Sequence, residues 1–281
     1  MRQIIPKVLI ASALIAGSNV GLAPHAVSET STARPAQRHI RRAPQPKAAR
    51  ALEVDHVMIH VTPGAPERAA LERAGFRIAP DVNHHEGQGS ASITVEFGNS
   101  FLELVWRDDS VEVAPGLEKI AERFQRQGQW RTSGWSPFGI GLRRSASGPD
   151  SLPFPTREVR GPWMEPGAKL EIISPANDTL GPRIFVVPRT MAANGLPDSD
   201  SERRRLSQRE TFEHANGARR ISSVKVLGPQ RGMTPATHLV AQYSPVVFAV
   251  ATHWALDVTF DRGAKGVTRD LRPDLPLVVH F

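Results

Sequence analysis

The sequence predicts an α+β fold in which repeated βαβββ modules form curved, cup-shaped mixed sheets. Two stretches, 54–61 and 90–97, alternate apolar and polar side chains, the mark of half-buried strands. Between them Pro66 and Gly75 bracket a short helical run to Ala74. Weaker strand patterns recur later in the chain, so the first module is expected to have a divergent copy.

Ahead of that module, Arg2 and Lys7 precede the apolar run Val8 to Ala16, which reads as the charged and hydrophobic regions of a signal peptide ending near Ala26. The expectation is export to a bacterial periplasm or beyond, with no stable membrane span after processing. An uncleaved anchor is the rival reading. Residues 27–50, rich in Ala, Pro, Arg, Ser and Thr, read as a basic linker. Residues 51–128 are the expected first module with its linking helix, and 129–281 the second, divergent half with the C-terminal strands.

The net charge of +7 belongs to the leader and linker. Residues 1–50 hold eight Lys/Arg and one acid, which leaves 27 basic and 27 acidic groups for the remaining 231 residues. A nucleic-acid-binding domain carries its basic excess on the folded part, so nucleic acid is excluded as the main partner. The chain has no cysteine, which excludes disulfides, thiolate metal sites, cysteine nucleophiles and a cysteine-linked lipid anchor.

Within the first module, Val57, Ile59 and Val61 share one strand face and His56, Met58 and His60 the other. Ala91, Ile93, Val95 and Phe97 oppose Ser90, Ser92, Thr94 and Glu96. Gly98-Asn99-Ser100 turns the chain into a strand where Leu102, Leu104 and Trp106 oppose Phe101, Glu103 and Val105. The apolar faces are natural helix-packing surfaces. His56, His60, Ser92, Thr94 and Glu103 then share the opposite face, unless the register slips by one residue.

Leu117, Ile120, Ala121 and Phe124, at i, i+3, i+4 and i+7, predict an amphipathic helix linking the halves. Strands are expected at 137–142, 159–165, 168–173 and 184–187, then at 221–227, 246–251 and 254–260. Residues 190–217 read as a polar connector. Leu256-Asp257-Val258 echoes Leu102-Glu103-Leu104 as a sign of internal repetition. Asn177-Asp178-Thr179 matches a glycosylation sequon, which a bacterial-type leader makes a chance match.

Asp55-His56-Val57, the His85-x-Gly-x-Gly-Ser90 run and Phe101-Leu102-Glu103-Leu104 resemble the glyoxalase-like domains of the vicinal oxygen chelate superfamily. Glu213 to Arg220 and Leu271 to Leu277 add to the resemblance. It implies a divalent metal held by His56, His85 and Glu103, with His60 or a metal-bound water as a general base, acting on a small oxygenated substrate as a lyase or isomerase. Gly139 to Gly141 and Ile184 to Val186 stand where the second half should add ligands, so His214, His253 or Asp257 would have to complete the shell.

That gap keeps a second function open: a non-catalytic protein that holds a small molecule in the same cup. A degenerate structural module is the third. Residue by residue, His56 is either a ligand or a hydrogen-bonded structural histidine. Glu103, set in an apolar strand, needs a metal or an arginine. Tyr243 is the single tyrosine, which argues against dioxygenase chemistry.

Overall fold

A computed structural model describes residues 51–146, 148–160, 164–174, 180–192 and 212–281. The leader, the linker, the sequon and most of the polar connector lie outside the described residues. Among the described residues the chain is a mixed α+β protein in which strands predominate, with two mixed sheets and no closed barrel.

Along the first half run β1 (Leu52–His60), α1 (Arg68–Arg73), β2 (Asn83–His85), β3 (Ser90–Phe97) and β4 (Ser100–Arg107). Next come α2 (Glu118–Gly128), α3 (Trp130–Ser133), β5 (Phe138–Arg144), β6 (Arg157–Val159), β7 (Leu170–Ile172) and β8 (Arg183–Val186). These eight strands form one sheet in the order β2-β3-β4-β1-β5-β8-β7-β6. The remainder supplies β9 (Ile221–Gly228), α4 (Pro235–Tyr243), β10 (Val246–Val250), β11 (Ala255–Phe260), β12 (Thr268–Asp270) and β13 (Leu277–His280). Its sheet runs β10-β9-β11-β13-β12.

Both sheets share one central pattern. In the first, β4 is parallel to β1, β1 antiparallel to β5, and β5 parallel to β8. The second repeats it with β10, β9, β11 and β13. Leu256-Asp257-Val258 therefore lies on a central strand, in the position of β1 or β5, and is no counterpart of the flanking strand β4. Among the described residues, no helix follows β5 as α1 follows β1.

Register decides which side chains meet. Val57 pairs with Leu102 and Ile140, Ile59 with Leu104 and Phe138, and Ile140 with Ile184. This apolar face packs against α1 and against Val224, Val226, Leu256, Val258, Phe260 and Leu277 of the other sheet. The expected helix-packing surface is thus mostly a sheet-packing surface. Alternating strands with one apolar face leave the second sheet no other way to bury its own valines and leucines.

Aromatic rings tie the layers together. Phe97 meets Phe260 at 4.7 Å and the His214 ring at 4.9 Å. Trp254 lies over Gly228 and Gly232, where an added Cβ would come within 2.1 and 2.4 Å of its ring. Its indole Nε1 donates to the Gly134 carbonyl at 3.2 Å, joining the second sheet to the link between the halves.

The opposite, polar face of the first sheet is not open. Met58, Val105, Leu170, Ile172, Phe185 and Phe124 of α2 form a second, smaller apolar cluster there. The linking helix is therefore a cover as well as a link.

Candidate functional site

His56, His60 and Glu103 lie on the polar face, on adjacent strands. His56 pairs with Phe101, Met58 with Glu103, and His60 with Val105, so their side chains project together. His85 reaches the same face through β2, where it pairs with Ser90. The histidines at 56 and 60 are 0% exposed, and His85 and Glu103 are 1% exposed.

Glycines on β5 make room for them. An alanine Cβ at Gly141 would stand 2.3 Å from His56 Cε1, and one at Gly139 would stand 2.8 Å from Met58 Sδ. The His56 ring stacks on Phe101 with centroids 4.6 Å apart.

Asp55 is the residue that alternation hides. Strict period two would send it to the apolar face with Val57. The β1–β5 register shifts between Val54 and His56, and this bulge brings Asp55 back. Its Oδ1 lies 2.7 Å from His56 Nδ1, and its Oδ2 lies 3.7 Å from Arg143 Nη1. Ser100 Oγ donates to the Asp55 carbonyl at 2.9 Å and steadies the bulge. With Nδ1–H donated to Asp55, His56 Nε2 is left as an acceptor, and it has no hydrogen-bond partner.

His85 is engaged on both sides: Nδ1 lies 2.9 Å from Ser90 Oγ and Nε2 lies 3.2 Å from Ser92 Oγ. Its Nε2 also stands 3.5 Å from Glu103 Oε1, ion-pair range but beyond a good hydrogen bond. Neither Glu103 oxygen has a hydrogen-bond partner. Burial works to raise the Glu103 pKa; the proximity and charge of His85, the charge of His56 and the neighbouring Ser92 outweigh it. The carboxyl titrates below its usual range and is ionised at neutral pH.

His60 is the other orphan. Neither ring nitrogen has a hydrogen-bond partner, and the ring lies against Phe124 at 5.1 Å. Burial above all, then the charges of Arg183, Arg123 and His85, hold its pKa well below the ordinary imidazole value. His60 is therefore neutral in the fold and binds a proton only after unfolding. Its contribution to stability is complete above the unfolded pKa of about 6.5 and is lost as pH falls below it. Urea denaturation from pH 7.5 to 5 is expected to show stability falling toward acid, at a slope of up to about 1.4 kcal/mol per pH unit from this proton. His214, also shifted down by burial, acts in the same direction. A His60→Leu variant should flatten the profile; an unchanged slope would contradict a neutral, buried His60.

The residues that were to complete a metal shell lie elsewhere. His214 sits on the apolar side against Phe97, with Nε2 on the Glu96 carbonyl at 2.9 Å and Nδ1 accepting from the Arg77 amide at 3.0 Å. Asp257 pairs with His280 at 2.9 Å on the second sheet. His253 is exposed at a bend. Among the described residues, no group of three or more His, Cys, Asp or Glu is placed to hold a metal.

The second half of the sheet contributes arginine and phenylalanine. Arg183 pairs with Gly139 and Phe185 with Gly141, so both share the face of Met58 and His56. Arg123 reaches it from α2, donating Nε to Gln127 Oε1 at 3.3 Å, while Gln127 holds the Ser136 carbonyl at 3.0 Å. Arg183 is 4% and Arg123 6% exposed. Sequence reasoning missed both, because one sits in a short strand and the other on the polar side of an amphipathic helix.

No family model matches the chain, and no curated protein matches it. Solved structures do align with it. A crystal structure of a hypothetical protein from Staphylococcus aureus matches 82% of this chain and 98% of its own, at 11% identity and a TM-score of 0.43. A xylose isomerase-like TIM barrel/4-hydroxyphenylpyruvate dioxygenase fusion protein matches 80% of this chain at 13% identity and a TM-score of 0.37. The aligned part spans 38% of that fusion. At these scores the functional reading rests on the residues of the polar face.

Proposed function

We propose that this is a glyoxalase-like protein whose first sheet pairs two βαβββ-type halves, the second without its helix, and whose polar face binds a small oxygenated molecule for proton-transfer chemistry of the lyase or isomerase kind. One observation carries the reading: His56 Nε2, both ring nitrogens of His60 and both carboxylate oxygens of Glu103 are buried with no hydrogen-bond partner, on residues that share one face of the sheet. Folded proteins rarely leave buried polar atoms unsatisfied, and clustered exceptions mark places where a ligand completes the bonding.

The resident metal implied by the resemblance does not fit this donor set. His56, backed by Asp55, is oriented as a metal-binding histidine would be, and Glu103 shares its face. His85, however, already has both ring nitrogens on serine hydroxyls, and the second half offers Arg183 and Phe185 in place of donors. Two ligands fall short of the three that a catalytic site needs.

The chain's own groups supply a base instead. Asp55 fixes the His56 tautomer and orientation, so Nε2 can accept a proton from a carbon or hydroxyl beside a carbonyl. Ionised Glu103, on the same face, favours the imidazolium that results. Asp55 is a positioning residue, since it acts through His56.

Two measurements test this. In deuterated water, hydroxyacetone or a related hydroxy ketone should exchange its acidic carbon-bound protons faster than without protein. His56→Gln should abolish the excess, and Asp55→Asn should reduce kcat more than KM. In a sample with 15N-labelled histidine, the same compound should shift the His56 Nε2 resonance. A panel of such compounds that neither exchanges nor shifts this resonance would refute the proposal.

A further inference from the structure

Among the described residues the two sheets end in four edge strands, β2 and β6 on the first and β10 and β12 on the second. Three of them are blunted. β2, β6 and β12 are three residues long and carry imidazole or charged side chains: His84 and His85, Arg157 and Glu158, Arg269 and Asp270. Short, charged edges resist pairing with another chain. β10 has neither device. Its five residues, Val246-Val247-Phe248-Ala249-Val250, hold no charge and no proline, and they pair with β9 without a register shift. Val247 is 48% and Val250 59% exposed, so two large apolar side chains face water on one strand. Val246 and Phe248 pack on the core shared by the sheets, which holds this edge in place.

Register shows which backbone groups of β10 face outward. The strand is parallel to β9 with Val250 beside Gly228, and the Ala251 N–H donates to the Gly228 carbonyl at 2.8 Å. Alternate residues of a parallel strand turn their N–H and C=O to the same neighbour. Val247, Ala249 and Ala251 are therefore bonded to β9, while Val246, Phe248 and Val250 present their groups to the open side. Among the described residues no strand pairs with that side. The Val246 N–H is turned onto Ser244 Oγ at 3.2 Å, which leaves the Phe248 and Val250 amides as the open donors.

The three outward residues are symmetric about Phe248. A two-fold axis through Phe248 sets β10 antiparallel to an identical strand. Phe248 then exchanges both backbone bonds with the partner's Phe248, and the Val250 N–H meets the partner's Val246 carbonyl. Side chains agree with this pairing. Val247 comes beside the partner's Ala249 and Val250 beside the partner's Val246, so both exposed valines gain apolar neighbours. The strand opposes no charge to its own copy, and on β9 Lys225 stands in register with Asp257.

We propose that two copies of this chain associate through β10, antiparallel about Phe248, joining their five-stranded sheets into one continuous sheet. The closed pair leaves neither copy of β10 as an edge.

Sedimentation velocity of the full chain over a concentration series tests this, together with amide hydrogen exchange at both ends of the series. The expected result is a species of twice the chain mass that dissociates on dilution. The Phe248 and Val250 amides should be protected only in the dimer, whereas those of Val247 and Ala249, bonded to β9, stay protected throughout. Val250→Pro removes an outward N–H without touching the ladder to β9, a position where edge strands accept proline. Val247→Lys places a charge on each side of the two-fold while its own N–H stays on β9. Both variants should keep the far-ultraviolet circular dichroism of the chain and lose the dimer. If Val250→Pro fails to fold, Val247→Lys and the amide exchange still decide.

A single species of one-chain mass at every concentration would overturn the proposal. So would a dimer that survives Val247→Lys, or one that forms without protecting the Phe248 and Val250 amides. Assemblies that keep growing with concentration would also overturn it, because a two-fold contact closes at the dimer.

Discussion

Truncating Phe97 to alanine is expected to cost about 3–5 kcal/mol of stability, the range for removing a buried aromatic side chain from a packed core. The ring is 0% exposed and belongs to both layers at once. It leaves β3 of the first sheet and meets Phe260 of the second, Phe76 behind α1 and the His214 ring. None of these partners can close over the gap alone, since each is fixed by another ring, as Phe260 is by Phe281 at 5.7 Å. Urea denaturation followed by far-ultraviolet circular dichroism and by tryptophan fluorescence checks it. A loss below about 1.5 kcal/mol, the usual upper range for a volume-conserving swap, would show that the two sheets do not share one core.

Gly141→Ala is expected to have the largest effect on the site. The added methyl would sit 2.3 to 2.7 Å from three atoms of the His56 ring, and that ring is stacked on Phe101 and bonded to Asp55. A buried imidazole held on both sides has nowhere to go, so overpacking should destabilise the protein by about 1–3 kcal/mol. The hydrogen bond from Nδ1 to Asp55 should be lost with it, visible as disappearance of the downfield Nδ1 proton resonance. Gly139→Ala is the contrast, because its methyl meets the flexible Met58 side chain. Adding His56→Ala to Gly141→Ala should recover most of the lost stability. Equal costs for the two glycine variants, or no recovery in the double variant, would contradict this account.

Much of the first half was legible because period two is a strong signal over eight residues. Strands β1, β3 and β4 follow the alternation of Val57/Ile59, Ile93/Val95 and Leu102/Leu104, and the face of His56 and Glu103 follows from it. Shorter strands carried less pattern. β6 and β7 are three residues each, and β12 is wholly exposed, so Thr268-Arg269-Asp270 offers no apolar position to read. Helix α4 carried its own start signal, Thr234-Pro235, with Pro235 in the first turn. Its buried residues are Ala236, Thr237 and Val240, a stripe too small and polar to register as an amphipathic face.

Site residues divide along the same line. His56, His60 and Glu103 could be named from type and alternation, and His85 only from the family resemblance. Asp55 could not, because a bulge overrides the alternation, and a bulge depends on how β5 pairs with β1. The arginines were hidden for another reason. A charged residue on a helix or in a short strand usually faces water, and only packing shows that Arg123 and Arg183 do not.

The sequence by itself determined that this chain folds as α+β, that its basic excess lies in the first fifty residues, and that one face of one sheet collects histidines and a carboxylate. Local periodicity and charge counts contain that much, because they depend on neighbours in the chain. Tertiary structure alone decided what covers each face, what stands opposite His56, and that arginines occupy the second half of the site. Those outcomes depend on strand order and on the crossing of α2 over the sheet, which join residues far apart in the chain, such as His56 and Phe185, by contacts that no local pattern records.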